Sequence, residues 1–437
     1  MALKEKMEDI LMTVAEKIDD NKYLQAIKNA FTAYMPFIIV GSFGTLFSAL
    51  ISSPKTGLAQ WIPALESLSG AFSAMNFATM TFMTVPIVFL IAMQLARANK
   101  TPEHLTGIVA ALSYISVVPQ LVTYVVNEET KKVGAVPSTA LGAQGLFIGM
   151  LMAIVVAELF RVLINIEAIK IKMPPSVPAG IATSFNTLIP ILIIILGTAI
   201  FGNIFKTVTG QYLNEFIYAI VQTPLEIALK SPLGILTLVI AGQIFWFLGI
   251  HGGLVITPLR NPLFVTALAA NIAAVEAGKM PHEAFTMSFW MSFIVPGGAG
   301  VTLSLLIAIF LFSKREEHRM IAKLGLLPGI CSINEPVVFG LPLVLNPTFA
   351  IPFIFNSAIG AAIALFATKI GFLVPNVVEV PFGVPIIISP FISHGWQGVV
   401  VQLIIFFVCT LCWIPFVLVS NKEALKKEEE VSVDDTH

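Results

Sequence analysis

Apolar runs of about twenty residues, separated by short polar connections, recur along almost the whole chain. Each is long enough for a helix to cross a hydrocarbon core about 30 Å thick. The pattern predicts crossings at about 30–52, 74–97, 104–127, 140–164 and 179–205 in the first half. In the second half it predicts crossings at about 232–250, 258–277, 286–312, 348–371 and 398–420. Two further apolar stretches, 325–347 and 376–397, are punctuated by proline and glycine and predict hairpins that enter and leave on one side of the membrane. Near the N-terminus Leu3, Met7, Ile10, Leu11, Val14 and Ile18 repeat at helical spacing with charged residues between them. Leu213, Phe216, Ile217, Ile220 and Val221 do the same between the halves, and both stretches predict helices lying in the membrane surface. The expected fold is therefore an all-α polytopic membrane protein with about ten transmembrane helices, two re-entrant hairpins and two interfacial helices. It divides into 1–205, an amphipathic connector 206–231, a second half 232–420 and a tail 421–437.

Composition agrees with that class: 57% of residues are hydrophobic, 12% are charged, and the mean hydropathy is +0.89. The first thirty residues are charged and amphipathic, unlike the basic-then-apolar order of a cleavable signal peptide. On the predicted topology 18 of the 25 lysines and arginines fall on the side of both termini and 7 on the other. That excess predicts cytoplasmic termini, with the 325–347 hairpin opening from the cytoplasm and the 376–397 hairpin from outside. A net charge of −1 without a large basic cluster gives no footprint for nucleic acid. Cys331, Cys409 and Cys412 sit in apolar surroundings, with neither a disulfide framework nor a metal-ligand spacing, so no metal is expected. No phosphate-binding glycine loop followed by lysine and no serine-nucleophile motif occurs.

Candidate chemistry concentrates in GLLPGICSINEPVVFGLPLVLNP, residues 325–347. Backbone released from helical hydrogen bonds at membrane depth is tolerated where it packs in protein or lines a wet cavity. Pro336 disfavours helical geometry at Glu335, so an extended carboxylate, shielded from water and in need of a partner or ligand, is expected at the break. A second break, QIFWFLGIHGGLVITP, places His251 among Gly249, Gly252 and Gly253 at the end of a crossing, where imidazole can donate and accept hydrogen bonds. Trp246 precedes it, and Trp396 follows His394 in the other interrupted segment. Sugar rings stack their apolar faces on aromatic planes and offer hydroxyls to carboxylate, amide and imidazole. Trp246, Trp396, His394, Asn334, Glu335, His251 and Gln243 form a set that suits a sugar, although tryptophans also populate membrane interfaces, and Gln243 and Asn356 also suit interhelical hydrogen bonding. Glu158 and Arg161 are spaced to pair on one helix, the cluster KREEHR at 314–319 reads as a solvated end able to meet a soluble partner, and Glu379 has no assigned role.

GIHGG around His251 together with ICSINEPVVFGLPLVLNP around Glu335 resembles the enzyme IIC component of bacterial phosphoenolpyruvate-dependent sugar phosphotransferase systems, within the branch that takes lactose, cellobiose and N,N′-diacetylchitobiose. The resemblance covers essentially the whole chain. It implies ten crossings, two re-entrant hairpins, two horizontal helices and a homodimer in the bacterial cytoplasmic membrane, built mainly through the first half. It also implies a β-linked disaccharide substrate, diacetylchitobiose before cellobiose, whose C6 hydroxyl is presented by Glu335 and His251 for phosphorylation. The phosphoryl group would come from the phosphocysteine of a separate IIB protein docking near 314–325 or 253–260, with no cofactor held by this chain. A proton-coupled sugar symporter remains open, because a glutamate and a histidine inside the membrane also suit a proton relay. A membrane transferase acting on lipid is a third reading, though it lacks a metal or nucleotide motif.

Overall fold

The computed structural model describes residues 21–54, 57–126, 129–171, 174, 177–249, 251–341 and 343–434, and the surface helix expected over Leu3–Ile18 lies outside them. The chain forms two compact units, Asp19–Ile227 and a second from Ala228 onward.

In the first unit α1 (Lys22–Phe47) is capped by Asn21, whose side chain accepts the N–H groups of Tyr23 and Leu24. It is followed by α2 (Thr84–Asn99), α3 (Glu103–Val117), α4 (Leu146–Ile164) and α5 (Leu188–Thr209). Helix α2 packs against α1, α3 and α4, and α5 lies against α3. Glu158 on α4 accepts from Lys22 Nζ at 2.6 Å, Asn99 Nδ2 at 3.1 Å and Arg161 Nε at 2.7 Å. The pair expected with Arg161 is thus one part of a cluster that ties three helices together. Outward-facing Leu192, Ile193, Leu196, Ile200 and Ile204 leave α5 with an apolar face suited to lipid.

The crossing expected at 104–127 is shorter in the structure. Helix α3 ends at Val117, and strands β1 (Leu121–Val126) and β2 (Glu129–Gly134) pair antiparallel, with Leu121 opposite Gly134 and Val126 opposite Glu129. Pro119 and the β-branched run that follows favour extended backbone over a further helical turn.

In the second unit α6 (Pro232–Phe247) starts on a Ser231 cap with proline at its first position. Next come α7 (Gly252–Val255) and α8 (Thr257–Glu276), then a helical stretch Met287–Phe289 that widens into π geometry over Trp290–Ile294. After a break come α9 (Thr302–Phe312), α10 (Glu316–Ile330), α11 (Glu335–Gly340), α12 (Ala350–Lys369) and α13 (Ile388–Asp434). Residues 376–387 are irregular, and α13 is broken again at Gly395, which has φ 70°, so the segment expected as interrupted at 376–397 leaves helical geometry twice. Helix α6 packs on α12 and α9 on α13, around fully buried Phe293, Leu305, Phe353, Ile405 and Trp413.

Among the described residues seven helices are long and apolar enough to cross a bilayer, or eight if the bent pair ending in α6 counts as one span. The three expected crossings outside the seven are α3 with 15 residues, α6 with 16, and α8, which buries polar Thr257, Arg260, Asn261 and Asn271.

The crossing expected as continuous at 286–312 is broken over residues 295–301, where Gly297, Gly298, Gly300 and Val301 all take positive φ. The break faces the one at 331–334. The Gly297 N–H donates to Ser332 Oγ at 3.1 Å, and Asn334 Nδ2 donates to the Ala299 carbonyl at 3.1 Å. Gly298 has φ 105°, and a Cβ there would stand 2.4 Å from the Cβ of Asn334. Strain and overlap both act against a side chain at this position. Gly298→Ala is therefore expected to destabilise the fold by about 2–4 kcal/mol, read as a lowered melting temperature in detergent; an unchanged melt would contradict the close approach.

Candidate functional site

A cavity of about 270 Å³ lies within the second unit, lined by parts of α6, α7 and α8, by the Met287–Val295 stretch and by both facing breaks. Gln243 and Trp246 are buried on the inner face of α6. The chain leaves α6 through Gly249 at φ 86° and enters α7 so close to its own helix that a Cβ on Gly252 would lie 1.7 Å from the Gly242 carbonyl oxygen. This crowding explains the glycines around His251.

His251 caps α7, its Nδ1 accepting the Leu254 N–H at 3.2 Å. In the neutral ring that assigns the proton to Nε2, which is then a donor. The imidazole lies 4.2 Å from the Trp246 ring, centroid to centroid, at 44°. The two tilted rings set an apolar face beside a polar edge in the cavity wall.

Across the cavity Asn334 is buried and Glu335 is exposed, as is His251. Two expectations are corrected here. Glu335 is the first residue of α11 rather than extended, because Pro336 occupies one of the first helical positions, where a missing N–H costs no hydrogen bond. Its carboxylate is also open to the cavity rather than shielded. The 325–347 segment is tied back to α6, since the Leu345 N–H donates to the Phe247 carbonyl at 2.9 Å.

Gln243, Trp246, His251, Asn334 and Glu335 therefore share one cavity. His394 and Trp396 stand elsewhere. His394 is buried, with Nδ1 2.8 Å from Ser393 Oγ and its ring against Phe293. Trp396 is 59% exposed and meets Phe372 edge-on. Asn356 is fully buried on α12 and lines neither cavity described here.

The cavity also contains Arg260, Met287, Trp290, Met291, Ser332 and Phe382, which the sequence did not single out. Arg260 left a trace there, as a lone arginine between Pro258 and Pro262 near the start of α8. Its guanidinium lies over the Trp290 ring at 4.5 Å and the Phe264 ring at 5.2 Å. Phe382 arrives from the 376–387 segment, whose Ile386 N–H caps the Ile330 carbonyl at the end of α10.

Glu379 acquires a role in holding this wall. Its carboxylate accepts the N–H groups of Met287 at 3.1 Å and Ser288 at 2.7 Å and the Ser288 hydroxyl at 2.5 Å. Beside it Asn376 accepts from Thr286 Oγ1, and Asn271 bridges the carbonyls of Glu283 and Asn376. These buried bonds fix the start of the stretch that carries Met287, Trp290 and Met291.

A second cavity of about 550 Å³ is lined by Arg315, His318, Asn346, Thr348, Ser420 and Glu423 among others. Arg315 is held by Glu317 and by Ser420 Oγ, and it keeps the Glu317 carboxyl below its usual range. Burial, with Arg315 adding to it, pushes the His318 imidazole down to about 4, so this ring is neutral at pH 7. Among the described residues no tryptophan lines this cavity.

A family model described as phosphotransferase system, EIIC, matches residues 28–357. The oligo-beta-mannoside-specific EIIC component of Bacillus subtilis (strain 168) is 31% identical, over 99% of this chain and 97% of its own length. A cellobiose-specific EIIC component of Geobacillus stearothermophilus is 28% identical, over 97% and 95%. The crystal structure of ChbC, the IIC component of an N,N′-diacetylchitobiose-specific phosphotransferase system, matches with a TM-score of 0.90 at 29% identity, covering 97% of this chain and 99% of that one.

Removing the Glu379 carboxylate strands two backbone N–H groups in the interior and leaves the Ser288 hydroxyl only its 3.3 Å bond to the Val378 carbonyl. Glu379→Ala is expected to cost about 3 kcal/mol or more, and Glu379→Gln, which keeps one acceptor oxygen, clearly less. Melting of the two variants in detergent checks the order, and equal melts would show that the carboxylate does not anchor the wall.

Proposed function

Since the chain belongs to the EIIC family of the phosphotransferase system, we propose that its cavity binds a β-linked disaccharide and presents the sugar's C6 hydroxyl for phosphorylation by a separate phospho-IIB protein. The chain is a multi-pass membrane permease component, and IIB performs the transfer. N,N′-diacetylchitobiose is the first substrate proposed and cellobiose the next, and relatives with β-mannoside and cellobiose names keep the class to β-linked sugars. The proposal includes cytoplasmic termini, a homodimer through the first half, and inward movement of the sugar.

The observation that carries this reading is the meeting of Trp246 and His251 from one interrupted segment with Glu335 from another in one cavity. Trp246 offers a ring face on which a pyranose stacks. Gln243 Oε1 is buried without a hydrogen-bond partner among the described residues, and a sugar hydroxyl would supply one. His251, with its proton on Nε2, donates to the hydroxyl oxygen that Glu335 holds from the other side. Phosphoryl transfer has a loose transition state, so holding that oxygen in line with phosphorus matters before its proton leaves. Glu335 orients the hydroxyl first and accepts its proton late.

Glu335→Gln retains size and hydrogen bonding but cannot take the proton. It is expected to bind disaccharide with measurable affinity while phospho-IIB-dependent phosphorylation falls by at least about 100-fold. Equilibrium binding and a phosphorylation assay on the same preparation test this, and phosphorylation at the wild-type rate would remove Glu335 from the role.

A further inference from the structure

The proposed roles leave one charged side chain of the cavity unused. Arg260, near the start of α8, is only 8% exposed. Among the described residues it has no carboxylate partner, its Nε has no hydrogen-bond partner, and its hydrogen bond is a long one, 3.4 Å from Nη2 to Thr257 Oγ1. The faces of Trp290 and Phe264 attract the cation but accept none of its N–H groups in the plane of the fork. A guanidinium removed from water without an anion is costly to hold, and its planar fork of donors matches the oxygens of a phosphate. A disaccharide is neutral. The anion that enters this cavity in the proposed reaction is the phosphoryl group.

We infer that Arg260 receives the phosphoryl group as it passes from the partner protein to the sugar, donating hydrogen bonds to its non-bridging oxygens. This rests on the reading of the cavity as a phosphorylation site given above. In the step, the sugar O6 forms a bond to phosphorus as the sulfur–phosphorus bond of the phosphocysteine breaks. The sulfur leaves with the bonding pair as thiolate, and the hydroxyl proton passes to Glu335. The phosphoryl charge is carried over unchanged, so a fixed cation can stabilise it from donor to product without giving up a proton. Trp290 and Phe264 keep the fork from collapsing onto another wall of the cavity. Glu379, through Met287 and Ser288, holds the stretch that carries Trp290, which makes it a positioning residue one step removed.

The test uses full-length protein with Arg260→Gln and Arg260→Lys. It compares equilibrium binding of diacetylchitobiose or cellobiose with binding of the corresponding 6-phosphate, and measures phosphorylation with phospho-IIB. In Arg260→Gln the neutral sugar is expected to lose less than about threefold in affinity, the 6-phosphate at least tenfold, and transfer about 100-fold. Arg260→Lys, a point charge without the fork, restores part of both losses. Transfer at the wild-type rate in Arg260→Gln overturns the inference. So does an equal loss of affinity for neutral and phosphorylated sugar, which would make Arg260 a brace or a sugar contact. If wild-type protein transfers phosphate to no disaccharide, the functional reading fails instead, and the contrast between neutral and phosphorylated ligand still decides whether Arg260 is an anion site.

Discussion

Two interrupted segments satisfy each other inside the second unit, and the site depends on that exchange. Residues 295–301 and 331–334 both leave helical geometry within an apolar surrounding, where an unbonded N–H or carbonyl is expensive. Ser332 Oγ takes the Gly297 N–H, Asn334 gives a hydrogen to the Ala299 carbonyl, and the missing side chain of Gly298 lets the two backbones meet. The start of α11 is thereby fixed, with Glu335 as its first residue. A carboxylate on an uninterrupted helix at this depth would have neither an open cavity before it nor a rigid reason to point there.

The opposite walls are held by equally local devices. Gly252 lets α7 press against α6, so that His251 caps one helix and lies beside Trp246 of the other. The Asn271, Asn376 and Glu379 cluster fixes the start of the stretch bearing Met287 and Trp290, and Trp290 in turn covers Arg260. Each polar group that supports the site is bonded to backbone, whereas Gln243 Oε1 and Arg260 Nε are left without partners among the described residues. Buried polar atoms are normally satisfied, and these two belong to residues that line the cavity, where a ligand can reach them.

Much of this was legible in the sequence because membrane insertion writes itself as length and apolarity. The long helices, the interruption around Glu335 and the glycines around His251 all follow from patterns readable one segment at a time. What escaped reading depends on contacts between segments. The break at 295–301 passed as part of one apolar crossing, because its purpose appears only when Asn334 is seen against Gly298. Arg260 went unremarked because its burial is created by Trp290 and Phe264, which are distant or inconspicuous in sequence. His394 and Trp396 carried the same residue types as the site, yet the kink at Gly395 sends them to Phe293 and Phe372. The strands at 121–134 were hidden because β-branched apolar residues read equally as the tail of a crossing.

The proposed function has this cavity hold a sugar for another protein's phosphate rather than couple it to a proton. Uptake of labelled disaccharide by vesicles containing the protein, with phospho-IIB supplied on the cytoplasmic side, tests it through the chemical state of the sugar inside. The expected result is accumulated sugar 6-phosphate, dependent on phospho-IIB and indifferent to a protonophore over short times. Unmodified disaccharide, accumulated without IIB and released when the proton gradient is collapsed, would contradict it.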